Sequence, residues 1–135
     1  MMPEKSLTAL RRTIDAFLAI HALPADTPYM LTAGAALYVW GLRKTYSDID
    51  IIVPRLSIEH SSMMIGEQEI EGGNLPSWRT IRGFDVDGAW SDRRYLDGVC
   101  VMSLPDLLRF KVALNRPKDQ EDIQRLLNVL RRPGV

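Results

Sequence analysis

Ser47-Asp48-Ile49-Asp50-Ile51-Ile52-Val53 decides how this chain is read. Two carboxylates, one residue apart, stand at the head of an apolar, β-branched run that Pro54 ends. Branched side chains suit an extended strand, where residues i and i+2 share a face. Asp48 and Asp50 are therefore expected on one side of a strand over Ile49–Val53, with Cα atoms roughly 7 Å apart. Carboxylates placed in this way offer hard oxygen donors to one divalent cation. Mg²⁺ takes such oxygens at about 2.0–2.1 Å and keeps positions for water or substrate phosphates. Acids are equally at home in a solvated turn ahead of a buried strand, so the doublet alone leaves both readings open.

Upstream of the doublet, Tyr29–Ala33 reads as a short strand broken by Gly34, and Ala35–Trp40 as a short helix closed by Gly41. Gly34 lets the backbone approach a ligand, and helix N-termini present unpaired N–H groups to phosphates. Earlier still, Leu7, Leu10, Ile14, Phe17 and Leu18 recur at helical spacing behind Ser6, a good N-cap. Downstream, Ser57–Ile65 is expected to be a helix carrying Ile58, Met63 and Met64 inward, and Gly72-Gly73-Asn74 and Pro76 mark loops. Phe84-Asp85-Val86-Asp87-Gly88 alternates apolar and acidic residues as a half-buried strand does. Gly98–Met102 reads as another strand. Ser103-Leu104-Pro105-Asp106 opens a helix running to about Asn115, and a last helix follows Pro117 with Ile123, Leu126, Leu127 and Leu130 inward. The pattern predicts one α/β (α+β) domain over residues 1–135: a small mixed sheet flanked by helices and covered by two C-terminal ones.

Bulk properties set outer limits. In 135 residues the chain is 46% apolar and 25% charged, with no net formal charge, the profile of a soluble globular protein. Neutral charge and the lack of a recognition-helix pattern argue against sequence-specific DNA binding. The single Cys100 excludes an intrachain disulfide and lies in an apolar run, where a thiol behaves as a small hydrophobe. No run approaches a membrane span, so a cytoplasmic protein without a membrane partner is expected. His21 and His60 are far from each other in sequence, and neither is assigned a metal or catalytic role.

Three features converge: the Gly34 turn, the Asp48/Asp50 doublet, and a third acid, Asp85, on a separate expected strand. Acids from two neighbouring strands beside a glycine turn suit metal-assisted phosphoryl chemistry, where cations neutralise phosphate charge and activate a hydroxyl. With Leu31-Thr32-Ala33-Gly34-Ala35-Ala36-Leu37, Gly41-Leu42-Arg43-Lys44-Thr45, Ser47-Asp48-Ile49-Asp50 and Phe84-Asp85-Val86, the chain resembles the polymerase-β-like nucleotidyltransferase superfamily, specifically its small stand-alone, antitoxin-like members. Lys111-Val112-Ala113-Leu114-Asn115-Arg116-Pro117-Lys118-Asp119-Gln120-Glu121-Asp122-Ile123 is similar to a late element of those members.

The resemblance implies a nucleotidyltransferase-like fold and Mg²⁺-dependent transfer of a nucleoside monophosphate from an NTP to an acceptor hydroxyl or amine. It implies Asp48, Asp50 and Asp85 as metal ligands and catalytic acids for what is expected to be two Mg²⁺ ions with bound NTP. Gly34, Ala35, Arg43, Ser47 and Lys111 are implied at the nucleotide phosphates. Asp87 competes with Asp85 for the third position. The acceptor is open among a small molecule, a protein and an RNA end, with a second copy of the chain or another protein as partner. Where the family carries Gly-Gly or Gly-Ser, this turn reads Ala33-Gly34-Ala35. That departure motivates the alternative: a catalytically weak, protein-binding regulator of a toxin–antitoxin type. Asp119 and Asp122 are expected to be structural, pairing with Arg116 or Lys118.

Overall fold

The apolar stripe behind Ser6 does form the first helix, α1 (Leu7–Ile20), and the Ser6 hydroxyl accepts from the Ala9 amide at 3.0 Å. Its inner face buries Leu10, Ile14, Phe17 and Leu18. The computed structural model describes residues 5–132, so the two ends of the expected 1–135 span lie outside the described residues. The fold is mixed α/β, built on six strands in the order β3-β4-β2-β1-β6-β5. These are β1 (Met30–Thr32), β2 (Ile49–Val53), β3 (His60–Ile65), β4 (Gln68–Asn74), β5 (Arg94–Leu96) and β6 (Val99–Val101). β2 runs antiparallel to β1 and parallel to β4, and β6 runs parallel to β1.

The strand after the acidic doublet stands as expected, whereas the break expected at Gly34 falls one residue earlier, at Ala33, and Gly34 lies within the helix. Thr32 ends β1 extended, and Ala33 takes a left-handed φ of 58°. The short helix α2 (Ala33–Val39) then closes on Gly41, whose φ of 80° lets the Leu42 amide reach back to the Leu37 carbonyl. Ser103 caps α5 (Leu104–Leu114), which ends on a left-handed Asn115. A 3-10 turn at Pro117–Asp119 leads into the last long helix.

Two expectations fail between residues 57 and 74. Ser57–Ile65 is not a helix; its second half is strand β3, so Met63 packs on the core while Met64 points outward. Gly72 and Gly73 are not loop residues but the buried end of β4. A Cβ on Gly72 would lie 2.4 Å from the Phe17 ring, and one on Gly73 would lie 2.9 Å from Trp78 Nε1. The glycines admit two aromatic rings against the sheet, one from each face. Gly66, with φ of 60°, makes the two-residue turn joining β3 to β4.

Phe84–Gly88 is likewise not a strand. After α3 (Leu75–Trp78), residues Val86–Ser91 form α4, and Asp85 is its N-cap, accepting from the Gly88 amide at 3.0 Å. Strand β5 was not anticipated; it pairs with β6 through Asp97-Gly98, where both residues have positive φ (51° and 80°). That is the type I′ turn for which Asp-Gly is a strong signal. The helix α6 (Gln120–Leu130) packs on α5. Cys100 is fully buried, and desolvation pushes its thiol up from the ordinary range. Among the described residues no helix is long and apolar enough to cross a membrane.

Candidate functional site: a doubled acid-isoleucine-acid face

β2 and β4 repeat one short text. Asp48-Ile49-Asp50 enters β2 and Glu69-Ile70-Glu71 lies in β4, and the strands pair in parallel with Ile49 beside Ile70 and Asp50 beside Glu71. The isoleucines, both fully buried, anchor the two triplets in the core on one face of the sheet. By the two-residue period, all four acids then stand on the opposite face. Thr32 of β1 is in register with Asp50, which extends the polar row by one strand.

Like charges this close raise one another's pKa. Asp50 is pushed up to about 6, first by burial and then by the charges of Glu71, Asp48 and Glu69. Glu69 is also raised, chiefly by the charge of Asp48 and a hydrogen bond to it. Glu71 has a partner of its own: His60 Nε2 lies 2.5 Å from its Oε1. His60 reaches Glu71 because β3 pairs with β4.

Cations face the acids across a cleft of about 630 Å³ lined by Gly34, Asp48, Asp50, Glu71, Lys111 and Arg116, among others. Lys111 is the most enclosed of them. Its side chain is 6% exposed, and Nζ lies 3.1 Å from Asp119 Oδ1 and 3.3 Å from Asp122 Oδ2. Arg116 grips Asp119 through Nε (2.7 Å) and Nη2 (3.0 Å), which with Lys111 drives the Asp119 carboxyl far below the usual carboxylate range despite its burial. Arg43 holds Asp122 through Nε at 3.2 Å and Nη2 at 2.5 Å. Asp119 and Asp122 thus act as structural anchors, with Arg116 the expected partner of Asp119. They fix three cations whose charge serves the cleft, and the Lys111 charge pulls Asp50 partly back down.

The residues singled out from sequence divide clearly. Gly34, Arg43, Ser47, Asp48, Asp50 and Lys111 all line the cleft. A Cβ on Gly34 would lie 2.7 Å from Arg43 Nη1, so the glycine makes room for that guanidinium. Ala35 is fully buried in the core and does not line the cleft. Asp85 is absent from the cleft lining, its carboxylate committed to the α4 cap, and Asp87 is bound bidentately by Arg79. In both cases a local hydrogen bond of the chain decides where the acid goes. The acid that stands beside Asp50 is Glu71. Its signal in the sequence is Glu69-Ile70-Glu71, the same acid-isoleucine-acid pattern as Asp48-Ile49-Asp50, obscured by the glycines that follow it.

The side chains on the acidic face offer carboxylate oxygens, the donor class of a hard divalent cation. Among the described residues no three His, Cys, Asp or Glu side chains converge on one point as a ready-made metal group. A cation at the doublet would draw its remaining oxygens from water or a phosphate ligand. No protein-family model, curated protein or solved structure matches this chain.

Proposed function

We propose that this protein is a Mg²⁺-dependent nucleotidyltransferase that moves a nucleoside monophosphate from an NTP to an acceptor hydroxyl or amine. One observation carries the reading. Three carboxylates of two paired acid-isoleucine-acid triplets, Asp48, Asp50 and Glu71, line a cleft together with Lys111, Arg116 and Arg43, beside Gly34. Repelling acids with an elevated pKa are relieved by a cation, and fixed cations opposite them suit the phosphates such an ion would carry.

In this reading Asp48 and Asp50 hold Mg²⁺, which when bound neutralises phosphate charge and acidifies the attacking hydroxyl. Lys111, its ammonium set by Asp119 and Asp122, acts as a point charge toward the phosphates. Arg43 and Arg116 present guanidinium groups already oriented by carboxylates, so little further ordering is needed on binding. The acceptor oxygen or nitrogen forms a bond to the α-phosphorus. The bond to the bridging oxygen breaks, and its electron pair leaves with pyrophosphate. In this reading Glu71, hydrogen-bonded to His60, takes the acceptor's proton.

The test is transfer itself. Purified protein incubated with α-labelled NTPs, Mg²⁺ and a cell extract is expected to label an acceptor. Asp48→Asn is expected to lower the rate by at least about 10²–10³. Undiminished labelling by that variant refutes the assignment. Absence of any Mg²⁺-dependent nucleotide binding would favour the protein-binding, antitoxin-like regulator instead.

A further inference from the structure

A second pocket, of about 870 Å³, adjoins the cleft and shares Arg43 and Ser47 with it. Its remaining charged lining is Lys5, Lys44 and Arg125, with no acid. Four cations around one cavity create a local positive potential in a chain that carries no net charge. These side chains are mostly held in place. Lys5 Nζ donates to the Ser47 carbonyl (3.2 Å) and to Gln68 Oε1 (2.6 Å), and sits 4.8 Å from the centre of the Tyr46 ring. Arg125 is tied to Glu121 at 2.5 Å and to Asp122 at 3.5 Å. Asp122, 2% exposed, therefore anchors guanidinium groups on both Arg43 and Arg125. Arg43 Nη1 donates to no acceptor among the described residues, and Lys44 is exposed without a partner among them.

We infer that this pocket receives a phosphate group of the acceptor, so that the molecule being modified is itself phosphate-bearing. The word acceptor rests on the nucleotidyl-transfer reading of the adjoining cleft; the phosphate site does not. Three points support it. The lining offers anchored donors and no carboxylate to repel an anion. A triphosphate with its metal belongs beside the acids, which this pocket lacks. The shared wall at Arg43 and Ser47 places a group bound here next to the acids and within reach of the reacting centre. The phosphate has two sources, a phosphorylated small molecule or the end of a nucleic-acid strand.

Calorimetric titration of the full chain separates these. The probes are inorganic phosphate and a 5′-phosphorylated ten-nucleotide RNA, each measured in EDTA and again with saturating Mg²⁺ and a non-hydrolysable ATP analogue. Binding is expected in both conditions. Lys44→Ala/Arg125→Ala is expected to weaken it at least tenfold while leaving affinity for the analogue within twofold. Should that double variant fold poorly, Lys44→Glu, at an exposed position, is expected to weaken binding in the same sense. RNA binding at least tenfold tighter than phosphate, with a steep salt dependence, assigns the group to a strand end; comparable affinities assign it to a small phosphorylated molecule. Failure of both probes to bind, wild-type affinity in the variants, or displacement of the probe by the analogue overturns the inference. If the analogue fails to bind while Lys44-dependent phosphate binding persists, the cleft reading falls and the acceptor role falls with it.

Discussion

The chain holds two groups of carboxylates a short distance apart and treats them in opposite ways. Asp119 and Asp122, 1% and 2% exposed at their side chains, are enclosed by Lys111, Arg43, Arg116 and Arg125. Asp48, Asp50, Glu69 and Glu71 share one sheet face with mostly each other for company, and Asp50 is held near pH 6 by burial and by its neighbours. The first group contributes to the fold and the second works against it. Clusters of like charge are common where a ligand supplies countercharge, and on that ground the contrast marks the acidic face as the candidate site.

The largest expected effect tests the enclosed group. Asp122→Ala leaves Arg43 without its carboxylate and Lys111 with Asp119 alone, and losing one partner of a buried charge pair costs about 3–5 kcal/mol. Denaturant unfolding checks it; a loss below about 1 kcal/mol would erase the comparison.

The converse variant is Asp50→Asn. A carboxyl whose folded pKa is raised binds its proton more tightly in the folded state, so stability falls as pH rises between the unfolded and folded values. Here that window runs from 3.8 to about 6. Above it, removing the charge is expected to stabilise the chain by about 1–3 kcal/mol, with no gain at pH 4. Asp119 has the opposite sign. Its lowered pKa contributes stability above the unfolded value, lost as pH falls below it. The wild-type stability curve therefore rises on acidification from pH 6 toward 4 and then declines. Thermal melts across that range report both limbs.

Glu71→Gln sharpens the ranking of causes. Burial is the first contributor to the Asp50 shift and Glu71 the second. Carboxyl NMR should therefore find Asp50 titrating below 6 in this variant, yet still above 3.8. A complete return to 3.8 would show that charge outweighs desolvation. The smallest effect concerns the turn that lines the same cleft. Ala33 holds a left-handed φ of 58°, which a Cβ disfavours by about 1–2 kcal/mol. Ala33→Gly is expected to stabilise by about 0.5–1 kcal/mol once the extra flexibility of the unfolded chain is subtracted. Destabilisation would mean that the Ala33 methyl group packs more favourably than its backbone is strained.

What was legible in the sequence was what neighbouring residues decide. The Ser6 cap with its apolar stripe, the Ser103 cap of α5 and the strand from Ile49 to Val53 all rest on local pattern, and the structure contains them. Contacts between distant residues decided the rest. Gly72 and Gly73 look like turn residues until Phe17 and Trp78 are brought against them. Phe84–Asp87 alternates over too few positions to separate a strand from a capped helix, and the Asp85–Gly88 hydrogen bond settles it. Asp97-Gly98 is a hairpin signal that local sequence does carry, and its turn joins β5 to β6. At the cleft, the doublet, Gly34, Arg43 and Lys111 are legible from local sequence and share the lining, whereas Glu71 and His60 meet only through the pairing of β3 with β4.

The most direct test of the central claim is calorimetric binding of a non-hydrolysable NTP with and without Mg²⁺, in wild type and in Asp50→Asn. The doubled acidic face predicts binding that needs Mg²⁺ and is weakened at least tenfold in the variant, even as the variant gains stability. Equal affinity in the absence of Mg²⁺, or in Asp50→Asn, would contradict it.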